Sequence, residues 1–512
     1  TRDLVYDSSK PWRLTAEAHS SFYGSRVMTR LYDETGTIGR VRGFQLGSAA
    51  GSNSDLEQTF GFTTVGRFET LTSNRLGNTA ETRTFRYGYL ANSALLESLS
   101  IDGSHPFTIR RYYQEEHRDF VTSIEAKWST DLRTGYAYTY DERGQRSKVI
   151  QSGSVFVDYG GTEGGKTSQQ FTYNGRGELT GAIGYLGSDI TDANKQLPGR
   201  RHEYGYDTAG NRQWSNRTGD TTLRDDYTTN ALNQYVTREN NTVPLSGTAE
   251  PETEPTPGGA GGTAVAVGGR TVPAGRQGRY WNDEVTVANT SAPWRGALAI
   301  FAVKRSSGSG DLFKVESRMA EIAAALQGFS YDLDGNLLSD GLVDFSWDAE
   351  NRLTRMETSL AARTAGFPHR EITFRYDYMG RRVQKRVVDV TLSQEISSRR
   401  FLYDGWNLVA EYAAPGGTTC GALVRSYTWG LDIVNTLAKA GGVGALLQIA
   451  DHPSGKTYLP AYDGNGNIAA LINATSGALA AAYEYSPFGE PLRAQTLDPV
   501  VADNPFRFST KY

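Results

Sequence analysis

The sequence has 512 residues, enough for one large or several ordinary domains, and its formal net charge of −4 argues against a nucleic-acid or anionic-membrane partner. Its single cysteine, Cys420, excludes an internal disulfide framework and a cysteine-rich zinc site, and we expect it to be buried and unreactive. No stretch reaches the roughly 18 apolar residues that span a bilayer. Glycine and tyrosine are frequent, with 57 and 29 residues, which favours strands joined by tight turns.

The dipeptide Tyr-Asp recurs along the chain. Composition alone would give about two copies, whereas the sequence has eight, so the dipeptide marks an internal repeat. The tyrosines of these copies are Tyr6, Tyr32, Tyr140, Tyr206, Tyr331, Tyr376, Tyr403 and Tyr462. Degenerate copies fill the gaps between them, at Phe62-Thr63, Tyr173-Asn174 and Trp347-Asp348.

One copy, "ITFRYDYMGRRVQKRVV", shows the structure that each repeat predicts. Phe374 and Tyr376 alternate with polar residues, as expected of a strand with one buried aromatic face. Asp377 favours a turn because its carboxylate can accept hydrogen bonds from the backbone just ahead, and Gly380 tolerates a positive φ. A second, more polar strand follows. Each repeat is therefore an antiparallel hairpin, and because one hairpin is marginally stable alone, consecutive hairpins must pair edge to edge.

The repeats divide the chain into segments. They occupy residues 1–245 and return over residues 329–512. Between them, Ser246–Gly262 is rich in Pro, Gly, Thr and Glu and predicts an exposed, flexible linker. Residues 263–328 contain short apolar runs and predict an inserted small β domain. Within this insert, "SRMAEIAAALQG" (Ser317–Gly328) predicts the clearest helix of the chain, and "NTLAKA" farther along predicts a weaker one.

A complete P-loop pattern stands in "YGGTEGGKTSQQFTY", from Gly160 to Thr167. Such a loop needs a buried strand before it, for which "SVFVDY" could serve, and a helix after it. The residues after Thr167 alternate and lead into the repeat turn at Asn174, so no helix fits there. We interpret the glycines as slack between two hairpins, Lys166 as a solvated charge and the loop as an early protease site. We expect no binding of ATP and Mg²⁺.

Two acidic clusters resemble calcium loops, "DLDGN" at Asp332 and "DGNGN" at Asp463. Each lacks the Gly at position six and the Glu at position twelve of an EF-hand loop, and hairpin turns need the same residue types, so we interpret both as turns. The six histidines form no pair with metal-ligand spacing. The sequence therefore predicts no catalytic residue, no metal site and no cofactor.

The repeats resemble the YD, or Rhs, repeats of bacterial toxin-delivery proteins. In order along the last part of the chain, "RFLYDGWNLVAEY", "VRSYTWGLDI", "YDGNGNIAALINATSGALAAAYEYSPFGEPLRA" and "NPFRFSTKY" resemble the start of the Rhs repeat-associated core domain. The resemblance covers nearly the whole chain apart from residues 245–328. It assigns a structural, repeat-signature role to Tyr32, Asp33, Gly36, Tyr140, Asp141, Gly144, Tyr206, Asp207, Gly210, Tyr331, Asp332, Gly335, Tyr376, Asp377, Gly380, Tyr403, Asp404, Tyr462 and Asp463.

The resemblance implies an all-β fold in which consecutive antiparallel hairpins form a spiralling, hollow, cocoon-like sheet. In this family the shell encloses a C-terminal toxin segment until delivery, and related repeats form the barrel of teneurin adhesion proteins. Members continue past the equivalent of Tyr512 with a self-cleaving segment, so the cleavage residues and the toxin would lie beyond this chain. We therefore expect a non-enzymatic shell, secreted or at the cell surface, whose partner is its own C-terminal toxin or effector.

Other functions stay open from the sequence alone. The exposed repeat surface or the inserted β domain could bind a glycan or a surface protein, as exposed aromatic residues do in other proteins. A carbohydrate hydrolase would need a pair of carboxylates, which the sequence does not single out. The residues that follow Tyr512 would separate a toxin shell from an adhesin.

Overall fold

The computed structural model describes residues 2–19, 21–33, 39–75, 78–101, 106–115, 119–240, 242–249, 263–267, 275–304, 310, 312–418, 420–437 and 441–512. The chain divides into two compact units. The first unit comprises Thr1–Tyr136, Phe374–Val387 and Glu395–Tyr512, and the second comprises Ala137–Thr373 and Val388–Gln394. Among the helices of the described ranges, none has the length and apolar character needed to cross a membrane.

Antiparallel strands account for nearly all of the regular structure, which confirms the predicted all-β class. The strands up to the interruption of the repeats are β1 (Arg2–Tyr6), β2 (Leu14–His19), β3 (Val27–Tyr32), β4 (Val41–Gly47), β5 (Leu56–Phe62), β6 (Phe68–Arg75), β7 (Asn78–Tyr89), β8 (Leu96–Ile101), β9 (Phe107–Tyr113), β10 (Val121–Trp128), β11 (Asp131–Tyr140), β12 (Arg146–Ser152), β13 (Thr167–Tyr173), β14 (Leu179–Leu186), β15 (Gln196–Tyr206), β16 (Arg212–Asn216), β17 (Asp225–Thr229) and β18 (Tyr235–Glu239).

Seven further strands belong to the interruption or close it. They are β19 (Val243–Thr248), β20 (Thr263–Val267), β21 (Gly275–Gln277), β22 (Tyr280–Val285), β23 (Trp294–Lys304), β24 (Leu312–Ile322) and β25 (Leu326–Gly328). The remaining strands are β26 (Ser330–Tyr331), β27 (Leu337–Ser339), β28 (Val343–Trp347), β29 (Leu353–Thr358), β30 (Arg370–Tyr376), β31 (Arg382–Asp389), β32 (Gln394–Asp404), β33 (Asn407–Ala413), β34 (Leu423–Trp429), β35 (Leu446–Asp451), β36 (Lys456–Tyr462), β37 (Ile468–Asn473), β38 (Leu479–Tyr485) and β39 (Pro491–Thr496).

Helical structure is limited to short segments. The described residues contain one α-helix of five residues, α1 (Leu360–Thr364), which Ser359 caps by accepting a hydrogen bond from the Ala362 N–H. The 3₁₀ segments are Ser21–Tyr23, Ser154–Tyr159, Ala193–Lys195, Thr221–Leu223, Pro415–Gly417, Pro499–Val501 and Phe508–Thr510.

Within the first unit the strands pair in chain order. Each of β1 to β9 pairs antiparallel with the next strand, and so does each of β32 to β38. The predicted single buried face does not hold for the later run, because strands such as β37 are buried on both sides. Polar contacts reach these strands from the earlier run, where Ser73 Oγ lies 2.9 Å from Thr428 Oγ1.

Within the second unit the order is the same, with one detour. Strands β12 to β18 pair consecutively, β18 then pairs with β25, and β26 to β30 pair consecutively again. The ladder therefore continues from Glu239 to Leu326 as if the residues between them were a long hairpin loop.

The detour is a small β module. Two three-stranded sheets, β19–β22–β21 and β20–β23–β24, enclose an apolar core. The buried members of that core are Val243, Leu245, Val267, Trp281, Val285, Leu298, Ile300 and Ala320. Strand β19 occupies residues 246–248, which were predicted as linker, and residues 250–262 lie outside the described part of the chain.

Two predicted helices were wrong where the structure describes them, and the segment that could have served as a P-loop strand is not a strand. The predicted helix at Ser317–Gly328 forms strands β24 and β25, because β24 pairs with β23 over eleven residue pairs and this pairing overrides helix propensity. The "SVFVDY" segment forms the 3₁₀ turns of Ser154–Tyr159 instead of a strand. Asn435–Leu437 is not helical, and the rest of "NTLAKA" lies outside the described residues.

Candidate functional site

The repeat signature builds one turn many times. In the copy at Asp207, the backbone N–H of Asp207 donates to the Asn211 carbonyl at 2.9 Å, and the Gly210 N–H donates to the Asp207 carbonyl at 3.3 Å. Gly210 has φ 90°. The Asp207 carboxylate accepts hydrogen bonds from the N–H groups of Ala209 and Asn211, each at 2.8 Å. This arrangement is a type I turn closed by a left-handed residue and a β-bulge.

The same side-chain bonds recur at eight other turns within the described ranges. In each of them the first residue is Asp or Asn, and its oxygen accepts from the N–H groups two and four residues ahead. These first residues are Asp141, Asn174, Asn230, Asp332, Asp348, Asp377, Asp432 and Asp463. The carboxylates of the two candidate calcium loops are therefore committed to their own turns, and no group of three metal-ligating side chains occurs within the described ranges.

The tyrosine before the turn makes a second recurring contact, which we call the clasp. The Tyr206 hydroxyl donates to the Leu179 carbonyl at 2.8 Å, and Leu179 is the first residue after the turn of the preceding hairpin. Burial raises the pKa of Tyr206, which keeps the hydroxyl a donor. The other tyrosines that donate in this way are Tyr32, Tyr89, Tyr113, Tyr173, Tyr331, Tyr403, Tyr462 and Tyr485.

Sequence reasoning assigned these tyrosines to an aromatic face and missed the clasp. A signal was available, because Tyr or Trp precedes most turns and both carry a donor that Phe lacks. Trp347 and Trp429 make the clasp with the indole N–H, to the carbonyls of Leu337 and Leu408. The clasp links neighbouring hairpins at the edge where their turns lie.

Two signature copies depart from the common turn. Asp404 lies in strand β32 opposite Asn407, so the turn after Tyr403 has only two residues, and the Asp404 carboxylate pairs with Arg30 at 2.6 Å. At the copy that begins with Tyr32, the Asp33 N–H donates to the Arg40 carbonyl at 2.9 Å, and Gly36 lies outside the described residues.

The signature copies at Tyr376 and Tyr403 also line a cavity of about 330 Å³ in the first unit. Its other wall comes from the residues after β2, chiefly Phe22 and Tyr23. Burial raises the pKa of Tyr403 to about 12 and also raises that of Tyr23. Three signature residues, Tyr376, Asp377 and Tyr403, therefore help to line a concave site.

The P-loop pattern folds as a connection between hairpins. Strand β13 begins at Thr167, so no helix N-terminus faces the loop, and the Thr167 hydroxyl donates to Gln151 Oε1 at 2.9 Å. Gly165 is tightly packed, because a Cβ on it would stand 2.2 Å from the Phe156 carbonyl oxygen, whereas a Cβ on Gly164 would meet nothing within 4 Å. Glu163 accepts from the N–H and hydroxyl of Ser188. Lys166 is exposed, and the protease site stays a prediction.

Cys420 differs from its prediction in one respect. The side chain is half-buried instead of buried. Burial raises the pKa of its thiol above the ordinary value, so the thiolate that reactive cysteines need is disfavoured.

Consecutive hairpins whose turns carry the Tyr-Asp signature define a class of protein, and this chain resembles the Rhs/YD-repeat class in both its sequence and its fold, which confirms the predicted resemblance. No family model matches the chain. It is 30% identical over 183 residues to the tRNA3(Ser)-specific nuclease WapA of Bacillus spizizenii, and 28% identical over 183 residues to the tRNA nuclease WapA of Bacillus subtilis strain 168. Each match covers 36% of this chain and 6% of the relative.

Solved structures resemble the chain at low identity. The TcdB2-TccC3-Cdc42 crystal structure aligns with 99% of this chain and 25% of its own, at 11% identity and a TM-score of 0.37. The Photorhabdus luminescens Tc holotoxin pore with the TccC3-D651A mutation aligns with 99% of this chain and 24% of its own, at 12% identity and a TM-score of 0.36. Likenesses at this level do not bear on the function of the chain.

Proposed function

We propose that the chain is part of a non-enzymatic β-shell that encloses or carries a toxin or effector polypeptide following it in a longer protein. The observation that carries this proposal is that the signature residues use their side chains for hydrogen bonds within the fold. The turn aspartates accept hydrogen bonds from the backbone of their own turns, and the tyrosines donate hydrogen bonds to the preceding hairpin. The most regularly repeated polar groups of the chain therefore stabilise the sheet of consecutive hairpins, which we call the wall.

The matched relatives support a protein in which the shell and the toxic activity are separate segments. They are named as tRNA nucleases, yet the chain aligns with only 6% of their length, so in the proposed protein the wall and the toxic activity belong to different segments. The chain then has no catalytic role and no nucleic-acid partner of its own. Its location is secreted or at the cell surface, where such a toxin would act on other cells.

Protease protection in the natural, longer protein tests this function. We expect the polypeptide after Tyr512 to survive a protease dose that digests the same polypeptide expressed alone. Unfolding the wall with denaturant should then expose it. Equal digestion of the enclosed and free polypeptides would contradict the shell.

Glycan-array binding offers the contrasting result. An adhesin would bind immobilised glycans through its surface, and this binding would be lost when residues 246–328 are deleted. A shell should show no such binding, with or without that segment. Specific glycan binding together with an unprotected C-terminal polypeptide would contradict the shell and identify the protein as an adhesin.

A further inference from the structure

The cavity beside Tyr376 and Tyr403 has walls whose polar groups are already engaged. Arg381 donates from Nε to Asp377 Oδ2 at 2.8 Å and also binds the Gly405 carbonyl. Its guanidinium lies 5.3 Å from the centre of the Tyr403 ring, and the Tyr403 hydroxyl donates to the Arg382 carbonyl at 2.8 Å. These contacts fix the wall before any ligand arrives.

The opposite wall is aromatic and equally fixed. The rings of Phe22 and Tyr23 meet edge to face with centroids 4.9 Å apart, and the His19 ring lies 5.2 Å from that of Tyr23. The Arg400 guanidinium lies 4.0 Å from the centre of the Phe22 ring. The cavity is therefore preformed and bounded by ring edges and faces.

The lining includes the imidazole of His19, and two of its other polar groups have no hydrogen-bonding or ionic partner among the described residues. One is the hydroxyl of Tyr23, and the other is the exposed guanidinium of Arg375 on strand β30. Asp377 also carries charge in the lining, but Arg381 neutralises it in an ion pair of 2.7 Å. The polar groups that a ligand can meet are thus one positive charge and one hydroxyl, together with the imidazole of His19.

We propose that this cavity binds an aromatic ring that carries a nearby carboxylate. A volume of about 330 Å³ suits one ring system with its substituents, and ring edges and faces favour another aromatic group. Arg375 supplies the counter-charge for the carboxylate. A sugar fits poorly, because its many hydroxyls would meet walls whose polar groups are already bonded and would be left unpaired.

Such a carboxylate has two sources, a free aromatic acid and an aromatic residue beside an acidic one in a polypeptide. The probes distinguish them. N-acetyl-tryptophan represents the acid, N-acetyl-tryptophanamide removes the carboxylate and N-acetyl-leucine removes the ring. A capped Gly-Trp-Glu-Gly peptide places the carboxylate on the neighbouring residue. Binding to the purified chain is measured by titration calorimetry.

We expect the acid to bind with a dissociation constant of roughly 0.1 to 10 mM and the amide about three- to fivefold more weakly, as an exposed ion pair allows. N-acetyl-leucine should not bind measurably. Tight binding of the peptide would identify a polypeptide as the source, and binding of the acid alone would identify a small molecule.

Variants separate the cavity from nonspecific binding. Arg375→Gln should weaken the binding of the acid about three- to fivefold and leave the binding of the amide unchanged. Arg143→Gln, at an exposed arginine in the second unit, should change the binding of neither. Tyr23→Phe should weaken the binding of both the acid and the amide. The proposal is overturned if no aromatic probe binds, if Arg375→Gln has no effect on the acid, or if a monosaccharide binds as well as the acid.

Discussion

The hydroxyl of a single tyrosine connects two hairpins in this protein. A phenylalanine would fill the same space, yet it would leave the carbonyl beside the β-bulge without its partner. A partly buried hydrogen bond of this kind contributes on the order of 1 kcal/mol. Because nine tyrosines make the clasp among the described residues, small contributions add along the wall.

Removing one hydroxyl measures the clasp. Tyr206→Phe should lower the free energy of unfolding by about 1 kcal/mol, because the Leu179 carbonyl loses its donor while the ring remains. Chemical denaturation gives the value. Tyr112→Phe is the matched control, since no hydrogen bond to the Tyr112 hydroxyl occurs among the described residues, and it should leave the stability unchanged. Equal effects of the two variants would contradict the clasp.

The turn aspartates predict a pH dependence. A hydrogen bond from the Asn211 side chain, with others from the backbone ahead, lowers the pKa of Asp207 below its ordinary value of 3.8. A folded-state pKa below the unfolded value means that the unfolded chain takes up protons first. The stability from this carboxylate is therefore present above about pH 4 and is lost as the pH falls further.

Two substitutions of Asp207 separate charge from hydrogen bonding. Asp207→Asn keeps an accepting oxygen, as Asn174 and Asn230 do in their turns, so it should retain the neutral-pH stability and lose less of it between about pH 5 and pH 3. Asp207→Ala should destabilise the protein at both ends of that range. Thermal unfolding monitored across these pH values checks both expectations. A steeper acid loss in Asp207→Asn than in the natural chain would contradict them.

The inserted module leaves and rejoins the ladder at adjacent positions. The Asn240 N–H donates to the Ala325 carbonyl at 2.8 Å, and Asn289 Nδ2 donates to the carbonyls of Asn240 and Ala323, each at 2.9 Å. Buried Arg200 of β15 binds the hydroxyls of Tyr280 at 3.1 Å and Tyr159 at 2.8 Å. The module is therefore a side branch attached at its base and held against one strand.

Excising the module should leave the wall intact. Replacing residues 241–324 with an Asn-Gly turn lets β18 and β25 form an ordinary hairpin. We expect a folded, all-β protein that is less stable by about 1–3 kcal/mol, because Arg200 loses one buried partner. Circular dichroism and denaturation check this. Adding Arg200→Met should recover part of the loss, and aggregation of both forms would show that the module is integral to the wall.

The sequence predicted elements best where local chemistry decides them. The turn at Asp377 needs only an aspartate, a left-handed glycine and flanking strands, and all three are visible in the sequence. Ser317–Gly328 was wrong because its helix-forming residues are overridden by a partner strand that no local pattern shows. The cavity was missed for a related reason, since Tyr23 and Tyr403 meet only when distant segments of one unit pack together.

At the scale of the whole molecule, each unit is a series in which a strand pairs with its sequence neighbours. The segment that can be added or removed as a whole is therefore one complete period, which runs from the aromatic residue before one turn to the aromatic residue before the next. Adding or removing a period keeps every remaining strand pointing in its original direction, whereas removing one strand reverses all that follow.

Deleting residues 207–229 removes one period and joins Tyr206 to Asn230. We expect a folded protein with a cooperative transition, because the Tyr206 clasp and the turn that begins at Asn230 both survive. Deleting only residues 217–229 removes one strand, so β18 and the strands after it are reversed relative to β16, and this deletion should give an aggregating or unfolded chain. Scanning calorimetry and light scattering compare the two. Similar behaviour of both deletions would contradict a period of two strands.

The clasps also have a direction. Every tyrosine or tryptophan that makes one donates to a carbonyl earlier in the chain, and Tyr331 reaches back across the whole insertion to Tyr235. A hairpin emerging from the ribosome therefore finds its acceptor already in place, whereas an earlier hairpin never waits for a later one. The clasps can therefore form in the order in which the chain is translated, one period after another, whereas a contact such as that of Ser73 with Thr428 forms only after the late strands are made.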